Sequence, residues 1–155
     1  MFIIKKLLPI LVVLILALAA CGDKEQTTNV PDPAKFKSAQ IQTIHNNDAD
    51  EKDTIVLKDK EKVQEVLKLV DGLKTKEQNI TKTEKEMKKV DSYFFYFENK
   101  KVRDDKNPIP YSVFMTDDGR IFFTHSDIDE LMVPQRSVEK HPEIVKQIKE
   151  IVGLK

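Results

Sequence analysis

Residues 91–98 read DSYFFYFE, with five aromatic side chains in succession. Laid out as a β-strand, the segment points Tyr93, Phe95 and Phe97 one way and Phe94 and Tyr96 the other. Nine of the eleven aromatics in the chain lie between Tyr93 and Phe123, which places the core there. Ile109 to Thr116 and Arg120 to Thr124 are alternating apolar runs joined by Asp117-Asp118-Gly119, the strongest hairpin signal in the chain. Strand–helix alternation is missing between Asp91 and Thr124, which argues against a doubly wound parallel sheet.

The flanking segments supply helices and further strands. Lys37 to His45 reads as a first strand, Asn46 to Asp53 (NNDADEKD) as a turn, and Thr54 to Leu57 as a short apolar strand. Asp59 stands where a helix N-cap belongs, and Val63, Val66, Leu67 and Val70 follow at amphipathic spacing, with Gly72 placed to end the helix. Lys74 to Lys89 is nearly all polar. The Thr81/Glu84 capping-box spacing allows a short helix there, and an exposed loop or ragged hairpin fits equally. Asn99 to Pro108 is a charged loop, and Leu131-Met132-Val133 forms an edge strand before Pro134 within an ambiguous stretch. Pro142 opens a last helix whose apolar face is Ile144, Val145, Ile148, Ile151 and Val152. Together these give an α+β class: an antiparallel sheet of about five strands with two amphipathic helices packed on one face.

The N-terminus is of another kind. Lys5 and Lys6 precede a fourteen-residue apolar run, Leu7 to Ala20, broken only by Pro9. As a helix it would span roughly 21 Å, short of the ~30 Å hydrocarbon core, and its basic start and small-residue end match a secretory signal. Cys21 follows and is the only cysteine, so no intramolecular disulfide and no cysteine-based metal site can form. Leu18-Ala19-Ala20-Cys21-Gly22 resembles the bacterial lipobox. The resemblance implies cleavage between Ala20 and Cys21 and a diacylglycerol on the Cys21 sulfur, an anchor at the extracytoplasmic face of the cell membrane. The expected organisation is a signal peptide over 1–20, a flexible tether over 21–35 that is polar and carries Pro31 and Pro33, and a single domain over 36–155.

Without the first twenty residues the chain has 24 Lys and Arg against 26 Asp and Glu, a formal net of −2. That balance argues against a nucleic-acid partner, which needs a concentrated basic face. No cofactor is expected. Of the three histidines, His45, His125 and His141, only His125 lies in a local cluster (Ser126, Asp127, Asp129, Glu130), and a polar loop explains it better than zinc. Asp48, Asp50, Glu51 and Asp53 fail as an EF-hand because Asp53 falls where glycine is needed. There is no G-x-S-x-G, no S-x-x-K and no glycine loop for phosphate, so no catalytic residue is assigned.

The aromatic strand offers one sharper possibility. If the helices cover one sheet face, one of the two sets, Tyr93/Phe95/Phe97 or Phe94/Tyr96, points outward as a binding surface, with Phe94 and Tyr96 the candidate pair; if both faces are covered, the strand is central and buried. The layout resembles the small uncharacterised YhfM-like lipoproteins of Bacillus-type bacteria. The resemblance rests on the lipobox, the Thr54–Leu57 strand leading through Asp59 into the Val63–Val70 helix, and the Tyr93–Phe97 strand before the Asp118-Gly119 hairpin. It carries no activity and no site residues. The expected function is a non-catalytic, membrane-anchored domain that binds an envelope protein or cell-wall component. A small-ligand or cation-binding lipoprotein is the alternative, and an envelope hydrolase comes third.

Overall fold

A computed structural model describes residues 24–30, 32–46, 48–98, 111–127 and 130–154. The lipobox and Cys21 lie outside the described residues. Among the described residues, eight strands form one sheet: β1 (Gln26–Thr27), β2 (Ser38–His45), β3 (Asp48–Leu57), β4 (Lys74–Glu77), β5 (Ser92–Glu98), β6 (Tyr111–Thr116), β7 (Ile121–Asp127) and β8 (Glu130–Ser137). Their order is β1-β4-β8-β7-β6-β5-β2-β3, and every pairing is antiparallel. Three α-helices accompany them: α1 (Lys60–Val70), α2 (Ile80–Met87) and α3 (Pro142–Val152).

The expected five strands with two helices on one face are therefore corrected to eight strands with helices on both faces. Val63, Val66, Leu67 and Val70 of α1 and Val145, Ile148 and Val152 of α3 join Ile41, Phe95, Val113 and Phe123 in one core. Helix α2 lies against the other face, where its Glu86 meets Arg136 of β8 at 3.3 Å. Arg136 pairs with Phe122 and so shares that second face.

Strand β5 is interior, between β2 and β6. Tyr93, Phe95 and Phe97 are buried beneath α1 and α3, and each fully buried ring of this kind contributes about 1.5–3 kcal/mol. Phe36 closes the cluster edge-on to Phe97, with centroids 6.0 Å apart.

Three local differences have physical causes. Strand β3 starts at Asp48 because Asn46, at φ +50°, turns the chain back at once and pairs His45 with Asp48. The acidic stretch read as a turn is thus half of an edge strand, where charge deters unwanted pairing. The segment holding Leu131-Met132-Val133 is not an edge, since β8 lies between β7 and β4. Pro134 is tolerated because it sits where the β7–β8 register shifts, and its carbonyl accepts from the Gln78 N–H at 2.9 Å. Helix α2 is capped by Asn79, whose side chain accepts from the Thr81 N–H, and not by Thr81 itself.

Within the segment expected as a tether, residues 26–30 make contacts with the domain. From Gln26 onward the chain is tied to the domain: β1 pairs with β4, and the Thr28 N–H donates to Leu73 O at 2.9 Å. The Gly72 N–H returns a bond to Thr28 O at 3.1 Å, and the Val30 N–H donates to Asp71 Oδ1 at 2.9 Å. Val30 and Phe36 are core residues. Threonine and valine offered the strand and core contacts that the surrounding polar residues and prolines concealed.

Candidate functional site

The sheet register gathers polar groups at one end. Ile44 pairs with Ser92 and Ser92 with Thr116, so the next residues outward, His45, Asp91 and Asp117, come side by side at the ends of three neighbouring strands. Helix α3 returns over this end and brings Lys149. A cleft of about 520 Å³ opens there, lined by His45, Lys52, Asp53, Asp91, Tyr93, Asp117 and Lys149, with Thr43, Ile55 and Leu154 as its less polar wall.

Two linked pairs dominate it. His45 Nδ1 lies 3.0 Å from Asp91 Oδ1. The hydrogen bond to Asp91 and then its negative charge raise the His45 pKa above the ordinary 6.5. Both side chains are about half exposed, so solvent screens the pair and it adds little to stability. Lys149 Nζ donates to Asp117 Oδ1 at 2.8 Å, and the Tyr93 hydroxyl donates to the same oxygen at 3.0 Å. Lys149 Nζ also stands 5.0 Å from the Tyr93 ring centroid, within cation–π range. The bond from Lys149 lowers the Asp117 pKa, against the opposing effect of burial. Burial raises that of the Tyr93 phenol, which is no base at neutral pH. A second hollow of about 380 Å³ shares Asp117, Lys149 and Leu154, so the Asp117–Lys149 pair stands as a partition between the two.

The turn that carries Asp117 is held firmly. Its N–H donates to Asp91 O at 2.8 Å. Asp118 binds Arg120 Nη1 at 2.6 Å and Lys140 Nζ at 2.8 Å. Burial opposes ionisation of Asp118, but the bonds from Lys140 and Thr116 and the charge of Arg120 outweigh it and lower its pKa. The cleft thus presents cationic and anionic groups on one rigid frame. The hydroxyls among its described lining residues belong to Tyr93 and to Thr43, which is only 8% exposed, so the lining is dominated by charged groups.

The sequence-based candidates fall elsewhere. Phe94 and Tyr96 are half-buried on the face opposite α1 and α3, with ring centroids 4.2 Å apart. Phe94 meets Phe114, and Phe114 meets Phe122, both edge-on. Tyr96 pairs with Gln40 and Gln40 with Val56, which puts Val56, 54% exposed, on the same face. The His125 cluster involves side chains outside the described residues. Asp48 and Asp53 lie along the extended β3, a shape that cannot wrap a cation as an EF-hand loop does. His141 opens α3 and meets Glu143 at 3.3 Å. No helix of the described residues is long and apolar enough to cross a membrane.

Asp91, Asp117 and Lys149 escaped sequence reasoning. Asp91 looked like the polar lead-in to an aromatic strand and Asp117 like part of a turn. Their shared trait, one residue beyond the end of a strand on adjacent ladders, becomes visible only with the register. Comparison with known proteins found no matching family model, no matching curated protein and no matching solved structure.

Proposed function

We propose that the chain is a lipoprotein of the outer face of the cell membrane, anchored through Cys21, whose folded part is a non-catalytic binding domain for an envelope component. The observation that carries the binding reading is the convergence of three carboxylates (Asp53, Asp91, Asp117) and three nitrogen groups (His45, Lys52, Lys149) on one cleft of about 520 Å³. Such a lining suits an occupant bearing both an amine and a carboxylate, as a short cell-wall peptide does. The amine would compete with Lys149 for Asp117, and the carboxylate would meet Lys149 and Lys52. The lipobox at Leu18 to Cys21 supports the address.

The test is an NMR titration of the full chain in detergent micelles with short zwitterionic peptides of cell-wall composition. Saturable shifts confined to residues around His45, Asp91, Asp117 and Lys149, weakened in Asp117→Asn, support the reading. An absence of saturable shifts overturns it. A second reading places a protein partner against Phe94 and Tyr96. The exposure of Val56 on the same face favours it, and shifts centred there on adding solubilised envelope proteins would select it.

A further inference from the structure

The docking of β1 has a consequence for how the domain sits on a membrane. Cys21 and Gln26 are five residues apart in the chain. Fully stretched, five residues span at most about 17–18 Å. The sheet is wider than that leash. Seven inter-strand steps separate β1 from β3, which at about 4.8 Å each make roughly 34 Å. If β3 were the edge nearest the bilayer, β1 would stand about 34 Å away, beyond what the leash can reach.

We infer that the β1–β4 edge is the membrane-facing edge of the domain, seated against the lipid headgroup layer, while β3 stands away from it. The inference rests on the anchoring of Cys21 proposed above. The seated edge is not a basic patch: Lys24, Lys74 and Lys76 are offset by Glu25, Asp71 and Glu77. The orientation is therefore set by the length of the leash, not by attraction to anionic lipid, and high salt leaves it in place. Four bonds or contacts fix the leash at its protein end: the β1–β4 pairing, Thr28 to Leu73, Gly72 to Thr28, and Val30 to Asp71.

The experiment uses the full chain, processed by the cell and reconstituted in phosphatidylglycerol–phosphatidylcholine vesicles containing a headgroup-nitroxide lipid. A fluorophore is attached at Lys74→Cys or at Val56→Cys, both exposed positions. Quenching at position 74 is expected to exceed that at 56 by about threefold or more, given the width of the sheet. The ratio should be unchanged in molar salt. It should fall towards one when a flexible insert of about twenty Gly and Ser residues follows Asp23. Equal quenching at the two positions, with a diacylglycerol on Cys21 found by mass spectrometry, overturns the orientation alone. A lipid-free Cys21 overturns the anchoring, and the orientation with it.

Discussion

Replacing Gly119 with alanine isolates how tightly the β6–β7 turn is packed under the start of α3. Gly119 has φ +94°, and its carbonyl accepts from the His141 N–H at 2.7 Å. A Cβ there would stand 2.5 Å from Pro142 N, 2.7 Å from Pro142 Cδ and 2.9 Å from the His141 carbonyl carbon. These are backbone and ring atoms with no rotamer to yield. The left-handed backbone costs an L-residue about 1–2 kcal/mol, and the overlap costs about 1–3 kcal/mol more, for a total of about 2–5 kcal/mol. Gly72→Ala is the control: φ is +73°, but a Cβ there meets nothing within 4 Å. Its cost should be the backbone share alone, about 1–2 kcal/mol. Urea unfolding followed by far-ultraviolet circular dichroism gives both numbers, provided the m-values agree. If the two variants unfold at the same urea concentration, the turn has room to move and the packing argument fails.

Three other outcomes follow from the contacts described. Phe95→Ala should cost about 3–5 kcal/mol in the same assay, because the ring is fully buried and a cavity would remain; a loss below ~1.5 kcal/mol would mean the core collapses around it. The raised His45 pKa means that the His45–Asp91 pair favours the folded state below pH 6.5, and that this contribution fades as pH rises through the raised value. Proton NMR of the His45 ring should give a midpoint above the ordinary value, and Asp91→Asn should bring it down; an unchanged midpoint would remove Asp91 as the cause. Asp71→Ala should speed amide exchange at Val30 by about three- to tenfold, the effect of losing one hydrogen bond, whereas unchanged exchange would show that β1 alone holds this segment.

Elements that carry their own signal could be read from the sequence. Helix α1 had both periodicity and a cap, and Asp59 accepts from the Glu61 and Lys62 N–H groups. The β6–β7 hairpin had its Asp-Gly turn, and Gly119 has the positive φ such a turn requires. The elements missed are those whose stability comes from neighbours. Strand β4 is KTKE and β1 is QT, with no apolar pattern between them beyond what Thr75 buries. They exist because β8 offers a ladder to pair with. Residues 48–53 were misread because a charged edge strand and a solvated turn share a composition. The cleft was opaque for a related reason. His45, Asp91, Asp117 and Lys149 each have a bland local role as strand end, turn or helix flank, and only the pairing of Ile44 with Ser92 and of Ser92 with Thr116 assembles them.

The position of β1 also sets a timetable. A chain is made from its N-terminus, so residues 26 and 27 appear early. Yet β1 pairs only with β4, and the other neighbour of β4 is β8, whose partner for Thr75 is Ser137. Of the described strands, the first to be synthesised must wait for the last before its berth is complete.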